Sequence, residues 1–280
     1  MSAHIALATS ADHPEGHGGE HLLVDALTAR GLRVTWAVWD DPDVDWAGAD
    51  LVVIRATWDY PARVEQFRSW VRSPAVATRL VNPPNLVLGN LHKGYLADLG
   101  DLAVPTVVVP AGMTVDLRRL RWTASVVKPA VGVGGQGAVR QATQEDLDRL
   151  TLGPEPVDAI VQPYLPDVER RGEVSVVLVG GRPTHAVLKR PAEGEFRIHE
   201  EWGGTAELVE AGPEELEVAA AALATLPTTP AYARVDLLYD AGRPRVVEVE
   251  LVEPYLWFEL APAAADALAA ELVGSLARRG

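Results

Sequence analysis

The chain has 280 residues, room for about two ordinary domains, and its 48% hydrophobic and 23% charged residues are those of a globular protein. Its 25 lysines and arginines against 39 acids leave a formal charge of −14, which argues against gripping a nucleic-acid backbone. The absence of cysteine excludes disulfides, thiolate zinc sites and cysteine nucleophiles, and the opening MSAHIALATSADH lacks the basic segment of a signal peptide.

In chain order, residues 5–8 read as a short apolar strand. Residues 20–30 have helical period, with Leu22, Leu23, Ala26 and Leu27 on one face and Gly31 as the stop. Residues 32–38 and 51–54 read as two more buried strands and 63–71 as a helix, a rhythm that predicts a small parallel sheet. NPPN at 82–85 punctuates the end of that unit. A helix over 88–99 and strands over 104–109 and 125–128 follow. From 158 onward the pattern is β-rich, with strands at 159–162, 173–179, 184–189, 234–239 and 245–251 and a hairpin at Gly180-Gly181. Helices at 214–226 and 263–278 are expected to cover this second sheet. No apolar run approaches the ~18 residues of a membrane span, so the expected location is cytoplasmic.

VVKPAVGVGGQGAVR, residues 126–140, holds Gly132, Gly134 and Gly137 in the spacing G-x-G-x-x-G. A dinucleotide fingerprint needs such glycines to open a helix directly after a strand, so that the pyrophosphate meets the helix N-terminus. Here AVRQAT follows, which favours a strand, and the next helix signal, at Thr143 with Glu145 and Asp146, comes too late. A hairpin loop of small residues beside Lys128 is better suited to folding its backbone N–H groups over a triphosphate. A plain hairpin is the simpler alternative.

Downstream lies a spaced set. Gln162-Pro163-Tyr164-Leu165 ends a strand, Glu173 starts the next, and Lys189 with Arg190 ends its partner. Asp236 lies in ARVDLL, and Glu248 and Glu250 share one strand face in VVEVELVEP. Carboxylates so placed in an apolar strand are costly unless a cation compensates them, and Mg²⁺ takes oxygen ligands of this kind. The alternative is an exposed edge strand with solvated acids.

Lys93 in NLHKGYL, Lys128 with the 132–137 loop, QPYL, Glu173, Lys189, ARVD and the E-x-E-x-x-x-P ending resemble the ATP-grasp ligases in order and spacing, over about residues 80–260. The resemblance implies an α/β (α+β) ATP-grasp fold. A Rossmann-like pre-ATP-grasp substrate domain would span 1–88, and the nucleotide would lie between subdomains at 89–165 and 166–280. It implies ATP and Mg²⁺ as cofactors. Lys93 and Lys128 would contact the α- and β-phosphates, while Gly132, Gly134, Gly135 and Gly137 would close over the β- and γ-phosphates. Gln162, Pro163, Tyr164 and Leu165 would form the adenine hinge, with Glu173 on the ribose and Lys189 on the opposite wall. Asp236, Glu248 and Glu250 would hold Mg²⁺, and Arg234 would neutralise charge as the γ-phosphoryl moves. The family usually ends E-x-N, so Glu250 is a departure that adds a carboxylate.

HAVLKRPAEGEFRIHEEWGGT, residues 185–205, is similar to the prokaryotic glutathione synthetase layout, while RATWDY at 55–60 and LVEP at 251–254 resemble the O-ureido-D-serine cyclo-ligase group that forms cycloserine. Relatives usually carry His where this chain has Trp202. Arg55 would then clamp a substrate carboxylate, Asp59 or Glu253 would receive an ammonium, and Tyr60 would line the same pocket. The competing reading is a domain-packing cluster around Trp58. Arg197, Gly203 and Gly204 would close over an acyl phosphate; an ordinary loop is the alternative. His13, His17 and His21 are spaced like helical metal ligands, but Pro14, Gly16, Gly18 and Gly19 forbid a helix, leaving a mobile loop over the substrate as the expectation.

The expected activity is an ADP-forming carboxylate–amine ligation through an acyl phosphate on a small amino-acid-like substrate, within one molecule or between two. A kinase or a non-catalytic nucleotide-binding protein are the other readings. No nucleic acid or membrane partner is expected, and a monomer or homodimer is compatible with the sequence.

Overall fold

The computed structural model describes residues 2–198 and 202–279, so the 199–201 part of the run at 185–205 lies outside the described residues. Strands β1 (His4–Thr9), β2 (Arg33–Val38), β3 (Leu51–Ala56) and β4 (Leu80–Val81) form a parallel sheet in the order β2-β1-β3-β4. β3 is buried along its whole length, as a parallel strand covered on both faces must be. α1 (Glu20–Ala29) sets Leu23 and Leu27 against Ile5, Leu7 and Val53. α2 (Val64–Arg72) sets Phe67 and Val71 against Ala8 and Ile54 on the other face, with the short α3 (Pro74–Ala77) behind it. The strand–helix–strand rhythm of the sequence is present.

The single helix expected over 88–99 is two: α4 (Pro84–Asn90) and α5 (Tyr95–Asp98). The chain turns between them, where the Lys93 N–H donates to the Ala130 carbonyl at 2.8 Å and the Gly94 N–H to His92 Nδ1 at 3.0 Å. That turn aims Lys93 at the glycine-rich loop instead of along a helix surface.

A second sheet contains β5 (Val107–Val109), β6 (Ser125–Pro129), β7 (Val139–Arg140) and β8 (Ala159–Pro163), ordered β5-β8-β6-β7 with every pairing antiparallel. α6 (Gln144–Leu152) backs it, started by the reciprocal cap between Thr143 and Asp146. The strand expected from 104 begins at 107, because the Val104 N–H is spent on the Val246 carbonyl of the third sheet at 2.9 Å. The segment after Gly137 is a strand, as its branched residues suggested.

After α7 (Asp167–Arg171), strands β9 (Glu173–Val179), β10 (Arg182–Arg190), β11 (Thr205–Val209), β12 (Tyr232–Asp240) and β13 (Arg243–Glu250) make an antiparallel sheet ordered β11-β10-β9-β12-β13. α8 (Pro213–Ala224) covers one face through Ala219, Ala222 and Leu223 against Val176, Leu178 and Val235. α9 (Pro262–Ala277) covers the other through Leu268 and Leu272, and it also packs on α1. α9 is therefore a shared layer between the first and third sheets, more than the cover expected of it. β11, passed over in the sequence, has no buried residue and so no apolar pattern to read.

Polar groups reinforce that junction. The buried Asn82 amide donates to the Tyr232 and Leu251 carbonyls, both at 2.9 Å, and its oxygen accepts from the Ala231 N–H at 2.7 Å. Each buried polar atom so paired avoids a desolvation cost of about 1–3 kcal/mol.

Candidate active site

A cavity of about 680 Å³, within the range of small-molecule sites, opens between the second and third sheets with one end against the first. Its upper wall is the β6–β7 loop. Gly134, Gly135 and Gly137 have φ of +61°, +67° and +70°, a backbone that side chains resist, and a Cβ at Gly137 would stand 3.0 Å from the Pro129 ring. The Lys93 ammonium donates to the Gly132 carbonyl at 2.6 Å and pairs with Glu248 at 2.9 Å. The Trp202 indole N–H donates to the Gly134 carbonyl at 3.1 Å, and Arg197 lies over the Trp202 ring at 3.3 Å.

The floor comes from cross-strand neighbours. Register sets Lys189 opposite Glu173, Asp236 opposite both Ser175 and Glu248, and Arg234 opposite Glu250. The Lys189 ammonium lies 2.5 Å from Glu173 and 3.3 Å from Asp236. Arg234 grips Asp236 with Nε and Nη2, each at 2.8 Å, pairs with Glu250, and donates from Nη1 to the Tyr255 carbonyl at 3.2 Å. Ser175 Oγ donates to Asp236 at 2.6 Å.

Burial and pairing set the charge states. Burial alone would raise Asp236, but Arg234 and Lys189 hold it well below the usual carboxylate range. Burial pushes Glu173 and Glu250 up against the pull of Lys189 and Arg234 respectively. Glu248 stays below its usual value because Lys93 and Lys128 outweigh its burial. Burial, with Glu250 nearby, pushes Glu253 up to about 8, and burial lowers the Lys128 ammonium.

Most expected site residues line this one cavity: Lys93, Lys128, Gly132, Gly134 and Gly135 above, Glu173, Lys189, Arg234, Asp236, Glu248 and Glu250 below, and Gln162 to Leu165 at the back. In that back wall the Gln162 amide donates to Thr106 at 2.9 Å, and the Tyr164 N–H is taken by the Ala124 carbonyl at 2.9 Å. Asp59, Tyr60, Glu253 and Arg197 line it too. Gly137 shapes the loop without lining the cavity, and Gly203 and Gly204 stand outside it, Gly203 against Ala192.

Arg55 is a correction. Its side chain is fully buried and does not line the cavity. Nε lies 3.0 Å from both Glu20 oxygens, Nη2 lies 2.5 Å from Oε1, and Nη2 also donates to the Pro254 carbonyl at 3.2 Å. Tyr232 and Phe258 flank the guanidinium at 5.3 and 5.8 Å. Glu20 therefore occupies the Nε–Nη2 edge of the fork offered to a substrate, Nη1 is buried without a hydrogen-bond partner among the described residues, and Arg55 joins β3 to α1 and to the segment after β13. Trp58, by contrast, is not a buried anchor: it lines the cavity, and its indole N–H donates to the Glu253 carbonyl at 3.0 Å. Asp59 accepts from the Trp39 indole at 2.9 Å and pairs with Arg63, so it is already engaged.

The 13–19 loop is docked on the segment after β13. The Gly19 N–H donates to Glu259 at 3.2 Å, and a Cβ at Gly18 would collide with the Tyr255 hydroxyl at 1.9 Å. His13 and His17 meet Trp58 edge to face at 4.9 and 5.3 Å, and His17 meets Tyr255 at 5.5 Å. Among the described residues no group of three or more His, Cys, Asp or Glu is gathered as a metal cage, so neither the histidines nor the three expected acids form one. Asp236, Glu248 and Glu250 instead face Arg234 and Lys93. This suits Mg²⁺ better than a closed cage would, since that ion commonly takes one or two carboxylates and completes its shell with water and substrate phosphates. Lys93, Lys189 and Arg234 are already paired with Glu248, Glu173, Asp236 and Glu250, so a triphosphate entering here needs added positive charge.

The three sheets, the glycine loop over a basic-and-acidic floor, and the cavity between them define an ATP-grasp ligase, and the comparisons agree. Residues 92–240 match the family described as prokaryotic glutathione synthetase, ATP-grasp domain, and residues 5–82 match the N-terminal domain of D-cycloserine synthetase DcsG. The cycloserine biosynthesis protein DcsG of Streptomyces lavendulae is 31% identical over 258 residues, covering 84% of this chain and 86% of that protein. A glutathione synthetase of Rhodopseudomonas palustris is 31% identical over 227 residues, covering 73% and 71%. The crystal structure of D-cycloserine synthetase DcsG superposes with a TM-score of 0.86 at 29% identity, covering 98% of this chain and all 100% of that one. The chain belongs to the ATP-grasp ligases and is an ATP-dependent ligase. Within them it joins an N-terminal domain of the cycloserine-synthetase type to a glutathione-synthetase-type ATP-grasp domain. No helix among the described residues is long and apolar enough to cross a membrane.

Proposed function

We propose that this ligase activates the carboxylate of a small amino-acid-like substrate with ATP and closes an amide within the same molecule, the reaction type that makes a cycloserine ring. The observation that carries the reading is the polarity of the cavity. Its basic side chains, Lys93, Lys128, Lys189, Arg197 and Arg234, lie on the walls of the second and third sheets, while the end against the first sheet offers Glu253, Tyr60, the imidazoles of His13 and His17 and aromatic rings, its Asp59 being paired with Arg63. Arg55 and Arg63, the basic groups near that end, are paired with Glu20, and with Asp40 and Asp59. A substrate carboxylate therefore belongs at the basic end, with an ammonium at the acidic end. A glutathione-type pair of substrates brings two further carboxylates, whereas the arginines of that end, Arg55 and Arg63, are already paired with acids.

The chemistry follows from this polarity. A substrate carboxylate oxygen attacks the γ-phosphorus, the bond to the β–γ bridging oxygen breaks, and ADP and an acyl phosphate result. A nitrogen of the same molecule then attacks the acyl carbon, phosphate leaves with the C–O bonding pair, and the nitrogen loses a proton. Lys93 and Lys128 neutralise the phosphates, and the 132–137 loop offers backbone N–H groups above them. Arg234 and Lys189 face the charge that shifts onto the bridging oxygen, and fixed charges of this kind are worth most where water is excluded. Gln162 to Leu165 would receive the adenine and Glu173 the ribose. Asp236, Glu248 and Glu250 would hold Mg²⁺, which supplies charge neutralisation at the phosphates. Glu253, protonated at neutral pH when the cavity is empty, ionises when an ammonium approaches and so becomes its partner.

The test is phosphate release from ATP and Mg²⁺ with O-ureido-D-serine, with D-alanine, and with γ-glutamylcysteine plus glycine, each product identified by mass. Turnover only with the dipeptide pair would favour the intermolecular reading, and a stable phosphorylated product would favour a kinase.

A further inference from the structure

Trp257 stands in a backbone conformation that few side chains adopt, with φ of +46°. It is held there by the Leu260 and Ala261 N–H groups, which donate to its carbonyl at 3.0 and 3.1 Å. Such conformations persist only where the surroundings over-determine them, and they gather at functional sites. The twist returns the indole beneath the sheet, where it is 6% exposed and lines the cavity floor. There its ring faces the Arg234 guanidinium at 5.1 Å and the Lys189 ammonium at 5.6 Å, while Tyr255, whose carbonyl accepts from Arg234, meets it edge to face at 5.3 Å. The carboxylates Glu173, Asp236 and Glu250 pull the same two cations along the sheet. The indole supplies an attraction that carries no net charge and competes for no metal or phosphate.

We infer that Trp257 is a positioning residue whose ring fixes Arg234 and Lys189 in the places they need during phosphoryl transfer. This rests on the proposed ATP-dependent ligation. With Asp236 and Glu250 engaged in holding a cation, Arg234 and Lys189 would lose part of their carboxylate hold, and the neutral ring is the contact that stays. Tryptophan offers the strongest such face among the side chains, and fluorine on the ring weakens that face while nearly preserving its shape.

The test uses that grading. The chain has eight tryptophans, so mono-, di- and tetrafluorotryptophan are placed at position 257 alone by site-specific incorporation in the full-length protein. Melting temperature, Kd for Mg·ATP, and kcat for phosphate release with the substrate that the wild type turns over are measured across the series. The inference predicts that melting temperature and log kcat both fall step by step with fluorine, kcat by about tenfold or more at the end, while Kd for Mg·ATP stays within about threefold. Trp257→Leu should fall below the whole series and Trp257→Phe within it. A flat series in both quantities overturns the inference, since added fluorine makes the ring more apolar and packing alone would not suffer. A graded melting temperature with flat kcat overturns the positioning role. A wild type that consumes no ATP with any substrate would instead remove the ligation reading, and the positioning role with it, while the melting series still reads the contact.

Discussion

Arg234 and Glu250 face each other across β12 and β13 and form an ion pair, while the same guanidinium grips Asp236 through two bonds of 2.8 Å. A planar fork is what allows one side chain to serve both carboxylates. Arg234→Lys keeps the charge and loses the fork. Turnover should fall on the order of a hundredfold, with Kd for ATP changed by no more than a few fold, as expected for a contact that matters most in the transition state. A lysine variant within about threefold of wild-type kcat would remove Arg234 from the chemistry.

Glu248 stands opposite Asp236 and pairs with Lys93 at 2.9 Å, and 23% of its side-chain surface opens to the cavity. Glu248→Gln keeps size and one carbonyl oxygen but removes the charge. The expected outcome is a loss of turnover on the order of a hundredfold that added Mg²⁺ partly restores, with the melting temperature close to that of the wild type. An unchanged Mg²⁺ dependence would show the acid to be an ion-pair partner only.

Arg55→Lys tests the buried pair with Glu20. Losing the fork leaves a buried carboxylate poorly matched, so stability should fall by roughly 2–4 kcal/mol, while substrate KM in the folded variant should hold. Denaturant unfolding and steady-state kinetics give both numbers. A raised KM at unchanged stability would return Arg55 to the substrate pocket.

Glu253 makes stability depend on pH in a stated direction. Its pKa in the fold is about 8 against an ordinary 4.5, so between those values the folded state keeps a proton that the unfolded chain has released. Stability from this group is therefore complete below the lower value and is lost as pH rises toward the upper one, a change on the order of a few kcal/mol. Glu253→Gln cannot titrate, and its melting temperature should fall less than that of the wild type between about pH 5 and 8. Parallel curves would contradict this.

That the residues proposed for the nucleotide gather in one cavity was legible because their signals are local and ordered. Lys128 adjoins its glycine loop, and Glu248 and Glu250 alternate on one strand, so spacing alone sets them on one face. The substrate end was not, because it is assembled by tertiary contact. Glu20 lies 35 residues before Arg55 and reads as an ordinary acid in a first helical turn, yet it is the partner that withdraws Arg55 from the cavity. Trp58, His17 and Tyr255 come from separate segments, and nothing in their own neighbourhoods says that they meet. The parallel sheet and most strands of the third sheet followed from buried apolar runs, whereas the strand at 159–162, expected among those later strands, pairs with β5 and β6, and β11 and the break between α4 and α5 are set by contacts beyond their own sequence.

The most direct test of the central claim is to follow ATP, ADP, phosphate and the organic product together in one reaction with Mg²⁺ and O-ureido-D-serine. The account predicts one ADP and one phosphate for each cyclic amide formed, with no amide in the absence of ATP. ATP consumed with no amide product from any small amino-acid substrate, or a phosphorylated compound accumulating in its place, would contradict it.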